Sequence, residues 1–223
     1  MNDINLVIKE RSEVEIPCGK GYMSGFLTIP KGACSIIIFA HGSGSSRNSP
    51  RNNYVANQLN GEKFATLLMD LLVENEELSR GNRFNIGLLK DRLTEAYLWS
   101  REMESVKDMP VGIFGASTGS AAALELAGDS FLPFRRDLYA VVSRGGRPDL
   151  AHKTSLEFVK APTLFLVGSR DHQVLQMNEE AYQYLHCKKS LEIIPGASHL
   201  FEEPGALEAV SRASVRWFTE NKP

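Results

Sequence analysis

Val111-Gly112-Ile113-Phe114-Gly115-Ala116-Ser117-Thr118-Gly119-Ser120-Ala121-Ala122-Ala123-Leu124-Glu125-Leu126 is the stretch from which the rest of the chain can be read. Residues 111–114 form an apolar run of strand length, and residues 117–126 a small-residue helix that Gly128 ends. Between them lies Gly-x-Ser-x-Gly. A chain that passes from strand to helix in so few residues holds the middle one in a strained conformation. Side chains on its neighbours would collide there, so glycine stands at 115 and 119. Ala121, Ala122 and Ala123 let the helix approach the sheet closely. In this context the motif predicts a nucleophile elbow. The Ser117 hydroxyl rises above the carboxyl edge of the sheet, and the Thr118 amide, at a helix N-terminus, can donate to a developing oxyanion.

A serine hydroxyl is a weak nucleophile at neutral pH and needs an imidazole base oriented by a carboxylate. Residues 163–168 read as a strand, and Ser169-Arg170-Asp171-His172-Gln173-Val174 as the loop after it, which brings Asp171 to the edge that carries Ser117. After the last strand, Pro195-Gly196-Ala197-Ser198-His199 presents a histidine before the final helix. Ser117, Asp171, His199 is the chain order that the elbow predicts. Asp70, at the end of its own strand, is the rival acid, with holding a loop or orienting substrate as its other roles. His152, His172 and His186 are expected on the surface.

His41-Gly42-Ser43-Gly44 follows the apolar strand 35–40 and is expected to give the second oxyanion donor. The Ser43 amide is the candidate, with Gly42 as its substitute and a plain surface turn as the alternative. His41, Gly42, Arg47 and Arg144 are candidate substrate contacts. Arg47 and Arg51 would attract an acidic substrate or stand as solvated surface, while Arg144, Gly145 and Gly146 follow a strand end and line the site.

Outward from this centre, β-like and helix-like segments alternate along the whole chain, the pattern of an α/β fold with a largely parallel sheet. Strands are expected at 35–40, 64–68, 138–143 and 191–194, and helices at 50–59, 86–106, 176–185 and 204–219. Residues 14–17 and 22–29, flanking Cys18-Gly19-Lys20-Gly21, read as an antiparallel hairpin at the start. With 223 residues the chain suits one domain, 1–223. A net charge of −2 offers no case for nucleic acid or an anionic membrane, so small molecules are the expected partners. No apolar run is long enough to span a bilayer, and residues 1–10 lack a signal peptide's apolar core, so a cytoplasmic location is expected. Cys18, Cys34 and Cys187, odd in number and without C-x-x-C spacing, read as free thiols rather than disulfides or zinc ligands.

HGSGSS at 41–46, GASTG at 115–119, GSRDHQV at 168–174 and PGASHLF at 195–201 resemble the dienelactone hydrolase-like branch of the α/β-hydrolases along essentially the whole chain. The resemblance implies an eight-stranded sheet antiparallel at its second strand, and hydrolysis of esters or lactones without a cofactor. Dienelactone hydrolases carry cysteine where Ser117 stands, so the resemblance bears on fold and triad more than on substrate. The short segment 144–162 leaves little room for a lid, and an open site for small soluble acyl compounds is expected. Thioester hydrolysis or acyl transfer by the same triad, and a non-catalytic binding protein that keeps the fold, are the other readings. Oligomeric state has no sequence signal.

Overall fold

The computed structural model describes residues 9–19, 21–132 and 137–223. Lys20, in the expected hairpin turn, lies outside them. Eight strands, β1 (Lys9–Cys18), β2 (Gly21–Pro30), β3 (Ser35–Ala40), β4 (Phe64–Met69), β5 (Val111–Ala116), β6 (Leu138–Arg144), β7 (Thr163–Gly168) and β8 (Lys189–Ile194), form one sheet in the order β1-β2-β4-β3-β5-β6-β7-β8. β2 runs antiparallel to both β1 and β4, and all later neighbours are parallel. Every residue of β3, β4, β5, β6 and β7 is buried, as expected for strands covered on both faces.

The cover comes from α1 (Pro50–Gly61), α2 (Glu74–Glu77), α3 (Ile86–Glu102), α4 (Thr118–Gly128), α5 (Lys153–Phe158), α6 (His172–Tyr184) and α7 (Ala206–Asn221). Alternation along the strands divides the core in two. Ile36, Ile38, Ile113 and Val141 face α3 and α4, whereas Ile37, Phe39, Phe114 and Val142 face α1 and α7. This is the three-layer α/β-hydrolase architecture. Among the described residues no helix is long and apolar enough to cross a membrane.

Several boundaries differ from the sequence reading. The expected helix 86–106 ends at Glu102, where Met103 turns extended. Val106 keeps the apolar period because its side chain enters the core from the turn after the helix. α6 begins at His172 rather than 176, directly after Asp171. The polar stretch 74–84 is not simple surface. It folds as α2 and a 3-10 turn, Arg80–Phe84, because Glu76 is buried against Arg92, whose Nε lies 3.1 Å from Glu76 Oε2 and whose Nη1 lies 2.8 Å from Glu95 Oε2. The segment between β6 and β7 holds only the 3-10 turn Pro148–Leu150 and the short α5, so it forms no inserted lid.

α7 closes the sheet through Phe218, which is fully buried and meets the rings of Phe64 and Tyr139 at centroid distances of 6.3 and 6.0 Å. Phe218→Ala should lower unfolding free energy by about 3–5 kcal/mol through lost burial and a residual cavity. Denaturant titration measures this, and a loss under about 1 kcal/mol would contradict the packing described.

Candidate active site

Ser117 stands between β5 and α4 with φ 49° and ψ −120°, a conformation that L-residues rarely adopt. Three backbone hydrogen bonds hold it there. Its N–H donates to the Arg144 carbonyl at 3.2 Å, and its carbonyl accepts from the amides of Ser120 and Arg147 at 3.0 and 3.1 Å. A Cβ on Gly119 would lie 2.2 Å from the Ala40 carbonyl oxygen, so α4 can start this close to β3 only with glycine there. The elbow expected from the motif is therefore present in the backbone.

His199 Nδ1 lies 2.6 Å from Asp171 Oδ2, across 28 residues of sequence. Two loops are laced together to achieve this. Ser169 N–H donates to the Ile194 carbonyl at 3.0 Å and Arg170 N–H to the Ala197 carbonyl at 2.9 Å, while Gly196 N–H donates to Ser169 Oγ at 2.8 Å. Glu203 accepts from the Ser198 amide at 3.0 Å, and that hydrogen bond draws its carboxyl pKa below the ordinary value. Phe201, at φ 55°, is buried two residues beyond His199 and anchors the loop from below. Asp70 takes no part in this contact. It accepts from the Arg47 backbone amide at 2.7 Å and pairs with the Arg47 guanidinium. Among the described residues no hydrogen bond joins the Ser117 hydroxyl to the His199 ring. Such bonds are often long in free enzymes and tighten with substrate bound.

The expected oxyanion donors come to one place, since Gly42, Ser43 and Thr118 line the same narrow recess. Gly42 abuts Ser117: a Cβ there would lie 2.9 Å from Ser117 Cβ. The Gly42 carbonyl accepts from the Ser45 amide at 3.1 Å and lies 2.8 Å from His41 Nδ1. A trans peptide points its N–H opposite to its C=O, so these bonds turn the Ser43 amide away from the His41 ring. Leu71 N–H donates to His41 Nε2 at 3.0 Å, which fixes the ring as the Nδ1–H tautomer. His41, expected as a substrate contact, thus spends both nitrogens on backbone. It ties the loop after β3 to the loop after β4 and offers the cleft only its ring edge.

A cleft of about 620 Å³ opens beside this loop, lined by His41, Arg47, Asp70, Leu72, Glu77 and Arg83. Arg47 does reach it, but with its charge matched by Asp70. Sequence reading missed the contribution of 74–84, whose Arg83–Glu77 ion pair at 2.6 Å forms the far wall. Arg144 is buried at the end of β6, beside Ala116. His172 and His186 are exposed, and His152 is exposed at the surface while bonding Glu125 at 2.8 Å. The three cysteines are free and half-buried, and no cluster of His, Cys, Asp and Glu suited to a metal occurs among the described residues.

The sequence profile described as an alpha/beta hydrolase domain matches residues 33–216. Proteins of two Mycobacterium tuberculosis strains, both named as phosphoribosyl transferases, are 49% identical over 209 residues, which is 94% of this chain and 46% of theirs. The chain therefore spans about half the length of the curated relatives it matches. The crystal structure of a dienelactone hydrolase from Anabaena variabilis is similar at 48% identity and a TM-score of 0.91, covering 96% of this chain and 99% of that one. Est1E from Butyrivibrio proteoclasticus shares the fold at 16% identity and a TM-score of 0.79, covering 94% and 98%.

Burial holds the His41 pKa below its ordinary value, so the folded protein keeps a neutral ring where the unfolded chain binds a proton. Stability should therefore fall as pH drops below about 6.5, by up to about 1.4 kcal/mol per pH unit from this group. Thermal unfolding between pH 7.5 and 5.5 checks this. His41→Gln should be less stable at pH 7.5 yet show a shallower decline, and an equally steep decline would contradict the assignment.

Proposed function

Since this chain belongs to the α/β-hydrolase domain family, we propose that it cleaves carboxylic esters or lactones of small molecules through an acyl-enzyme on Ser117. The 2.6 Å contact between His199 and Asp171, at the sheet edge where the elbow holds Ser117, carries this reading. Asp171 accepts the Nδ1–H of His199 and leaves Nε2 as the base. Nε2 takes the Ser117 proton as Oγ attacks the substrate carbonyl, and the Thr118 and Ser43 amides receive the charge that develops on its oxygen. The imidazolium then protonates the leaving alkoxide. Water, activated by the same ring, attacks the acyl-enzyme, and the acid departs with Ser117 restored. No step calls for a cofactor or metal.

The structural relative named as a dienelactone hydrolase supports ester-bond chemistry. The transferase name of the mycobacterial relatives belongs to proteins about twice as long as the matched segment.

With p-nitrophenyl acetate as substrate, Ser117→Ala should lower kcat/KM by about 10⁴-fold or more, and Asp171→Asn by about 10²–10⁴-fold with KM little changed. A Ser117→Ala enzyme that keeps a tenth of wild-type activity would overturn the reading.

A further inference from the structure

The most unusual charge in the molecule is that of Arg144. Val142 and Phe114 pair across β6 and β5 and both belong to the α1/α7 side of the core. Arg144, two residues on and paired with Ala116, emerges on that same side at the carboxyl edge. Its own carbonyl receives the Ser117 amide. The residue is only 9% exposed, and its Nε and Nη1 are buried with no hydrogen-bond partner among the described residues. The guanidinium carbon lies 5.8 Å from the centroid of the Phe201 ring, which compensates a cation only in part. Burial and the neighbouring Arg51 push the Arg144 pKa down to about 10, so it stays charged at neutral pH.

Arg51 belongs to the first turn of α1, the helix that follows the oxyanion loop. Its Nη1 bonds Glu202 at 2.9 Å, but its Nε is buried and unpartnered. Its backbone N–H also has no acceptor among the described residues, as expected at a helix N-terminus. A buried guanidinium without hydrogen bonds is costly, and the like charge of Arg51, which Glu202 matches at Nη1, adds to the cost at Arg144. An anion between them would remove both costs.

We propose that Arg144 and Arg51 form a phosphate-binding site beside Ser117, and that the ester cleaved carries a phosphate group. The substrate half of this proposal rests on the hydrolase reading above, while the binding half does not. A planar carboxylate is filled by the fork of one guanidinium. Donors that arrive from a strand end, a helix side chain and a helix N-terminus suit a tetrahedral group with oxygens in several directions. Hydrolysis proceeds as for any ester, with water consumed and the acid and the phosphorylated alcohol released.

Binding is measured with inorganic phosphate, by calorimetry and by inhibition of p-nitrophenyl acetate hydrolysis. The expected result is competitive inhibition, with affinity reduced at least 30-fold in Arg144→Gln and at least 5-fold in Arg51→Gln. Inhibition matched by chloride at equal ionic strength, or unchanged in both variants, would mean an adventitious ion only and overturn the site. Should Arg144→Gln fail to fold by circular dichroism, Arg51→Gln, at the partly exposed position, carries the test. The second arm compares acetyl esters of 2-hydroxyethyl phosphate, 3-hydroxypropanoate and 2-methoxyethanol. A preference of at least 10-fold in kcat/KM for the phosphate ester, collapsing in Arg51→Gln, supports the proposal. A preference for the carboxylate ester, or none, overturns the substrate class. Phosphate binding without hydrolysis of any ester would leave the site standing and sink the hydrolase reading instead.

Discussion

The site depends on one backbone constraint, the positive φ of Ser117. A non-glycine residue at φ 49° and ψ −120° costs on the order of 1–3 kcal/mol and persists only where its surroundings over-determine it. Here they do. The Ser117 amide is bound to Arg144 at the end of β6 and its carbonyl to Arg147 just beyond and to Ser120 in α4, and α4 is pressed so close to β3 that only glycine fits at 119. The same packing seats Gly42 against Ser117, so Ser117 and the loop beside it are placed by a single arrangement of strands.

Everything else at the carboxyl edge answers to that arrangement. Parallel strands β3, β5, β6 and β7 all end there, and each delivers one part: the Gly42–Ser43 loop, the elbow, Arg144 and the Asp171 loop. β8 contributes the His199 loop by bonding it, residue by residue, to the loop after β7. His41 acts one step removed. By holding the Gly42 carbonyl and the Leu71 amide it makes the turn after β3 a fixed structure, and burial keeps the ring neutral for that purpose.

Much of this was legible in the chain itself. The strand-to-helix passage around Ser117, and the positions of Asp171 and His199 after later strands, follow from local patterns that tertiary packing has no reason to override. What was hidden depended on partners distant in sequence. Nothing near Glu76 announces that Arg92 will bury it and shape one wall of the cleft, and nothing near His41 shows that Leu71 will occupy its second nitrogen. The end of α3 was misplaced because Val106 obeys the helical period while packing from a turn. Arg144 is visible as a strand-end residue, but that its Nε and Nη1 find no hydrogen-bond partner among the described residues is a property of the assembled fold.

Where an electrophile lands tests the role of Ser117 most directly. Treatment with a fluorophosphonate, followed by digestion and peptide mass mapping, should yield one adduct, on Ser117, with none formed after acid unfolding. An adduct on another residue, or a protein left unmodified under conditions that label an esterase control, would contradict it.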